Sequence, residues 1–314
     1  MRANVAAMLL GLFIDMLIGD PEWFPHPVRF IGRYISFMEG RLRRRFPDKL
    51  HAAAVLLTLS TVAGTMLVTA AALGLAGLLG RWPLFIAKAL LSWMCISCRC
   101  MAKEAEQVRA QLARGLERGR RQVSRIVGRD TACLSEEEIV KATVETVAEN
   151  TTDGVISPML WLALLGPIGG MGFKAASTLD SMVGYLDDRH RDIGWSSARL
   201  DDALNYIPAR LTGALMSCAA AIVRLDGRNA WRIVKRDHAN HLSPNCAWSE
   251  AAAAGAMHIQ LGGTHEYFGK PVEKPTIGDP DRRAEGEDIH RACRLLYGTT
   301  ALMALLGMLA LLPK

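Results

Sequence analysis

Apolar residues along this chain fall in long blocks, and the blocks define the elements. From Ala52 to Gly80 there are 29 residues without a charge, well beyond the roughly 18 that mark a transmembrane helix. As a helix this run extends about 43 Å, against a hydrocarbon core of about 30 Å, so it must tilt or lie partly in the interface. Arg81-Trp82-Pro83 predicts a turn, and 83–101 returns with Lys88 and Arg99 near its ends, where they can snorkel. Two more spans are predicted at 3–19 and 295–312. The segments 155–176 and 203–223 are apolar but irregular. Pro158, Gly166-Pro167, Gly169-Gly170 and Gly172 interrupt the first, which predicts a broken helix or a re-entrant hairpin buried in protein. Pro208 and Arg210 stand in the first turns of the second. Between the spans, 102–150 reads as a helical insert in which Ser135-Glu136-Glu137-Glu138 is a capping box, and 224–294 as a polar region.

Composition narrows the class. Half of the 314 residues are hydrophobic and mean hydropathy is +0.15, which excludes a disordered chain. Seven cysteines are too sparse for a small disulfide scaffold. The net charge of +6 matters less than its placement. Seven Lys/Arg stand between Arg29 and Lys49 against two acids, and eight between Lys103 and Arg129 against three. Basic loops beside apolar spans stay cytoplasmic. No nucleic-acid fold signature accompanies them, so no nucleic-acid partner is expected. Asp15 interrupts the first apolar stretch and no small-x-small site follows, so that stretch reads as an uncleaved span rather than a signal peptide. The expected fold is an all-α, multi-pass integral membrane bundle, one domain over 1–314, with broken or re-entrant segments and cytoplasmic helical loops.

Polar chemistry concentrates at 145–210. Glu145, Glu149 and Asp153 are spaced by four, beside Asn150 and Gly154. Carboxylates and amides at a glycine turn suit a hard cation such as Mg²⁺, which takes oxygen ligands and substrate phosphates. A second patch holds Asp180, Tyr185, Asp187, Asp188, Arg189, Arg191, Asp192, Arg199, Asp201, Asp202, Asn205 and Arg210. Ionisable groups near membrane depth are costly and tend to be functional, and an arginine after Pro208 can fork onto a phosphate. A third group, Asp15, Asp20, His26 and Arg29, surrounds Gly19-Asp20-Pro21 and Pro25-His26-Pro27. Cys95, Cys98 and Cys100 lack a second ligand group at zinc spacing. His238 and His241 have no HExxH context, and Gly169-Gly170-Met171-Gly172-Phe173-Lys174 is not a P-loop, since Phe173 and Ala175 occupy the Gly and Ser/Thr positions.

Taken together, the runs Gly19-Asp20-Pro21 with Pro25-His26-Pro27-Val28-Arg29, Glu145 to Gly154, Thr178 to Tyr185, Ala198-Arg199-Leu200-Asp201-Asp202 through Asn205 to Arg210, and Ser243-Pro244-Asn245 with Trp248-Ser249-Glu250-Ala251 recur in an order that resembles the adenosylcobinamide-phosphate synthases of cobalamin biosynthesis, the CobD/CbiB family. The resemblance covers about residues 9–290. It implies a bacterial inner-membrane enzyme that joins a propionate carboxylate of adenosylcobyric acid to (R)-1-aminopropan-2-ol phosphate, or to the free amino alcohol in some organisms. ATP, with Mg²⁺, drives amide formation. Carried onto this chain, the resemblance implies metal ligands among Glu145, Glu149, Asp153, Asp180 and Asp201. It implies catalytic roles for His26 (as general base), Asp20, Glu149, Asn150 and Arg199, and substrate or phosphate contacts from Arg29, Asn205, Arg210, Asn245 and Glu250. The charge-rich Leu186 to Arg191 departs from the family pattern. The implied partners are the two substrates, the lipid bilayer, and a second copy or a neighbouring late-pathway membrane enzyme; the corrinoid is substrate rather than cofactor. A corrinoid or other small-molecule transporter is the rival reading, since broken helices and an intramembrane Asp15 fit that class, but matching inverted halves are missing.

Overall fold

The computed structural model describes the chain apart from Glu22, Leu186, Asp188, Phe268, Gly269, Pro313 and Lys314, with side chains given outside 264–274. Asp188 of the second polar patch therefore lies outside the described residues. The architecture is helical, and two compact units build it: Met1–Ser97 with Ser157–Asn205 and Leu306–Lys314, and Cys98–Ile156 with Tyr206–Leu305.

In the first unit, α1 (Arg2–Ile18) packs on α4 (Arg81–Trp93) through Gly11. A Cβ there would stand 2.6 Å from the Trp93 backbone nitrogen, so only glycine allows the two axes this close. The Trp93 indole Nε1 donates to the Gly19 carbonyl at 3.0 Å and fixes the end of α1. Helix α2 (Pro27–Arg45) starts at His26, whose Nδ1 accepts from the Val28 amide. Helix α3 (Leu50–Leu78) is the long uncharged run. Along it the hydroxyls of Thr61, Thr65 and Thr69 each donate to the carbonyl four residues earlier, at 2.8 Å, so these three are satisfied within the helix, whereas the buried Thr58 hydroxyl has no partner among the described residues. Its Leu67, Val68 and Leu75 stay about 70% exposed, which suits a lipid-facing surface. Helix α8 (Ser157–Val183) breaks at Gly166, φ 69°, directly before Pro167. The break agrees with the sequence reading, because the proline removes a backbone donor and glycine alone takes the left-handed turn cheaply.

The second unit holds α5 (Cys98–Leu112), α6 (Leu116–Val123) and α7 (Glu136–Thr151). The capping box at the head of α7 is present: Ser135 Oγ accepts from the Glu138 amide, and Glu138 Oε2 accepts from Ser135 N at 2.7 Å. A π-helical turn, Thr152–Ile156, follows α7. Helix α9 (Arg191–Ile222) enters this unit at Tyr206. Helices α10 (Gly227–Asp237) and α11 (Cys246–Met257) press together where Gly255 meets Ala230, leaving no room for a Cβ at 255. An antiparallel hairpin, β1 (Leu261–Tyr267) and β2 (Lys270–Ile277), precedes α12 (Gly286–Leu309).

Several boundaries differ from the sequence reading. The stretch 83–101 holds two helices, α4 and α5, separated at 94–97. Met94 and Ile96 already end hydrogen-bonded turns there, which hydropathy cannot register. Helix α12 begins nine residues before the apolar run at 295, because Glu287 and Asp288 form a favourable acidic first turn. The polar region 224–294 carries the hairpin, unforeseen by a helical reading. Among the described residues, four helical runs are long and apolar enough to cross a membrane: Leu50–Leu78, Arg81–Leu112, Glu136–Val183 and Gly286–Leu309. The segment 203–223 is not among them, and α1, with 17 residues, is marginally short.

Candidate functional site

In the second unit, the richest gathering of candidate residues surrounds the first turns of α11. Asn245 caps that helix in sequence, and Cys246 opens it. The Cys246 thiol donates to Glu149 Oε1 at 3.5 Å. Burial pushes its pKa well up, and the negative charges of Glu149, Glu250 and Asp153 push it further. Three carboxylates from three elements (α7, the π turn and α11) therefore share one neighbourhood around a buried thiol. The local sequence explains this. The fourfold spacing of Glu149 and Asp153 continues through a π turn, a distortion that recurs at functional sites. On α11, the alanines at 251–254 are buried and let the helix sink into the unit, carrying Glu250 down to 5% exposure.

Arg210 borders this cluster. Its guanidinium carbon lies 3.4 Å from the Tyr206 ring centroid and 5.0 Å from that of Trp248. Its Nη1 donates to the Tyr206 carbonyl at 2.6 Å and reaches Asn245 Oδ1 at 3.5 Å. Stacking on two aromatic rings orients the planar cation without neutralising it. The buried Trp248 Nε1 has no acceptor among the described residues, although His238 stacks on the same ring at 4.5 Å. A buried indole N–H normally finds a partner. The site thus offers carboxylate oxygens, an oriented guanidinium and an unsatisfied donor.

Glu145 is turned away from this group. It pairs with Arg129 at 3.0 Å and accepts from the Gly262 amide at 2.9 Å. The Arg129 side chain is 4% exposed, so the pair is a buried structural one. Asn150 donates to the Thr146 carbonyl in its own helix at 2.9 Å. Among the described residues, no three His, Cys, Asp or Glu side chains close into a cage able to hold a metal by themselves. Glu149, Asp153 and Glu250 nevertheless have the oxygen chemistry of Mg²⁺, an ion that usually keeps one or two carboxylates and completes its shell with water and substrate phosphate.

The remaining predicted residues belong to the first unit, apart from the cluster just described. Asp20 has a buried oxygen, Oδ1, without a hydrogen-bond partner among the described residues. Burial raises the pKa of its carboxyl, with the Lys174 charge opposing. His26 is driven down to about 4, first by burial and then by Lys174, and its ring bonds the Met94 carbonyl as well as accepting from Val28. With both nitrogens engaged, its visible work is to hold the start of α2. Arg29 and Arg199 are exposed. Asp180 stands in the last turn of α8, where its carboxylate fills the space against Gly184. Asp201 accepts from Asn205 at 2.9 Å, and Asn205, 1% exposed, accepts from Ser157 at 2.5 Å, so Asn205 locks α9 to α8. Asp187 is bonded to His190 at 2.8 Å, a local loop contact.

Sequence reasoning missed Lys174, Cys246, Tyr206 and Trp248 as site residues. Lys174 carried a legible signal, a lone charge inside an apolar stretch. The aromatic pair stood inside the recurring runs 205–210 and 248–251, but a helical aromatic alone does not distinguish a cation clamp from core.

Comparisons with known proteins address the family of the chain. A family profile described as CobD/Cbib protein matches residues 8–296. Among curated proteins, the chain is 48% identical over 303 residues to cobalamin biosynthesis protein CobD of Geobacter metallireducens, covering 96% of this chain and 95% of that one. It is 46% identical over 289 residues to CobD of Listeria monocytogenes, covering 91% and 92%. It is 44% identical over 307 residues to cobalamin biosynthesis protein CbiB of Salmonella typhimurium, covering 96% of each. No solved structure matches the chain.

Proposed function

The chain belongs to the CobD/CbiB family of cobalamin biosynthesis proteins, and on that premise we propose that it is an ATP-dependent ligase of the bacterial inner membrane. It joins adenosylcobyric acid to (R)-1-aminopropan-2-ol phosphate and yields adenosylcobinamide phosphate. The observation that carries the reading is the convergence of Glu149, Asp153 and Glu250 around Cys246, bordered by the ring-clamped Arg210.

A carboxylate does not condense with an amine unaided. In the proposed route a propionate oxygen attacks the γ-phosphorus of ATP, the bond to the ADP oxygen breaks, and an acyl phosphate forms. The amine nitrogen then attacks the acyl carbon and expels inorganic phosphate, losing its proton to a base. One or two of Glu149, Asp153 and Glu250 would hold Mg²⁺, which would supply neutralisation of the phosphate charge. Arg210 faces the charge of the transferring phosphoryl group, and its two-ring clamp removes most of the entropy cost of ordering it. Asn245 fixes the guanidinium edge. Cys246 is no nucleophile in this scheme, because its buried thiol resists ionisation. His26, with both nitrogens committed, positions α2 rather than receiving the amine proton.

The test uses detergent-purified protein with adenosylcobyric acid, aminopropanol phosphate, ATP and Mg²⁺. Mass spectrometry should find the amide product, with ADP formed in equal amount. AMP instead of ADP would replace the acyl phosphate with an adenylate. Absence of product with either the phosphorylated or the free amino alcohol, from folded protein, would overturn the ligase reading.

A further inference from the structure

The second unit carries a cavity that the ligase chemistry above does not use. It has a volume of about 700 Å³ and lies between the end of α9, the start of α10, the end of α11 and the segment entering α12. Four guanidinium groups line it: Arg224, Arg228, Arg282 and Arg291.

The acids around it are already spoken for. Asp288 is fully buried and takes Arg282 through both oxygens, at 2.5 and 2.8 Å, and Arg291 at 2.7 Å. One carboxylate thereby aims two cations at the cavity. His258 lies between Asp281 (2.9 Å from Nδ1) and Asp226 (3.2 Å from Nε2), which draws both of those acids to the imidazole. Arg224 and Arg228 are exposed, and neither side chain has a hydrogen bond or ion pair among the described residues. Arg224 and His258 are also the two non-glycine residues with positive φ among the described residues, at 60° and 55°. Both line this cavity. Each stands at a helix C-terminus, where a left-handed residue ends α9 or α11 and turns the chain along the cavity rim.

We propose that this cavity binds a phosphorylated ligand. Several guanidinium forks, two of them unpaired, match the multiple oxygens of a phosphate ester or polyphosphate better than a single carboxylate. The volume admits a molecule of nucleotide size. A soluble phosphate ester and the headgroup of an acidic phospholipid present the same chemistry, and the experiment separates them. The inference stands independently of amide ligation.

The full-length protein in detergent is titrated with ADP and with inorganic phosphate, in EDTA so that metal-dependent binding at the carboxylate cluster is silent. Wild type should bind ADP saturably. The R224Q/R228Q variant should weaken it at least about tenfold, and R224K/R228K should recover part of the loss. Circular dichroism and the unfolding temperature verify that these exposed substitutions leave the fold intact. Vesicles of phosphatidylcholine containing phosphatidylglycerol, but not phosphatidylcholine alone, would displace ADP if the native ligand is a lipid headgroup. No displacement would assign a soluble ligand. Failure of wild type to bind any phosphate probe would overturn the proposal. So would binding that R224Q/R228Q leaves unchanged and that Glu149→Gln abolishes, since it would belong to the carboxylate site.

Discussion

At the scale of single residues, neighbouring carboxylates on one helix do different work. Glu149→Gln should leave the unfolding temperature of the detergent-solubilised protein nearly unchanged and lower amide formation by about a hundredfold, the order expected when a group organising a metal is lost. Glu145→Ala should do the reverse first, costing about 3–5 kcal/mol because Arg129 is left buried without its counter-charge. Replacing both Arg129 and Glu145 by Met should restore much of that stability. The fourfold spacing made these acids legible as a group, but not which of them was already paired. Arg129 comes from 16 residues upstream, across a loop, and only packing brings it back. His26 supplies a pH signature. Its pKa falls from an ordinary value near 6.5 to about 4 in the folded chain, so the unfolded chain takes up its proton first. The contribution is complete above about pH 6.5 and is lost as pH falls toward 4. His26→Asn keeps a capping acceptor without the proton, so its unfolding temperature should fall less steeply across that window. Equal slopes for both proteins would remove His26 as the cause.

At the scale of elements, helix type and the interruption in α8 could be read from composition, because Gly166-Pro167 forbids a continuous helix by sterics alone. Gly166→Ala should destabilise by about 1–3 kcal/mol for a backbone conformation open essentially to glycine alone, and by more where the added carbon meets Asn4, whose nearest atom would be 2.9 Å away. Asn4 accepts from Lys88 Nζ, so the substitution should also disturb α1 and α4. A thermal shift of the purified variant measures this, and an unchanged midpoint would mean that α8 does not require the turn. The split between α4 and α5 escaped the sequence because Ser92 to Ser97 are as apolar as their neighbours. The hairpin escaped for another reason. It is one isolated strand pair whose residues, such as Lys270-Pro271 and Glu273-Lys274-Pro275, lack the alternation of a half-buried strand.

At the scale of the whole molecule, the membrane character and the family were legible from end to end, while the grouping of the candidate residues was not. Acids read as one metal set fall in separate units, Glu149 and Asp153 in one, Asp180 and Asp201 in the other. Ser181, exposed at the end of α8, reports sidedness. In a cysteine-free background, Ser181→Cys should resist an impermeant maleimide in intact cells and react in inverted vesicles, as a cytoplasm-facing polar region requires. Reaction in intact cells would place that region outside. Helix α3 adds a consequence at the same scale. Its 29 residues have a length set by the covalent chain, about 43 Å, whereas the thickness of the slab around it is set by lipid metabolism. The hydroxyls of Thr61, Thr65 and Thr69 are satisfied internally, and the lean of the helix is set by its packing on α2, α4 and α8. A change in acyl-chain length thus acts as a mechanical load on that packed group as a whole rather than on one freely tilting helix.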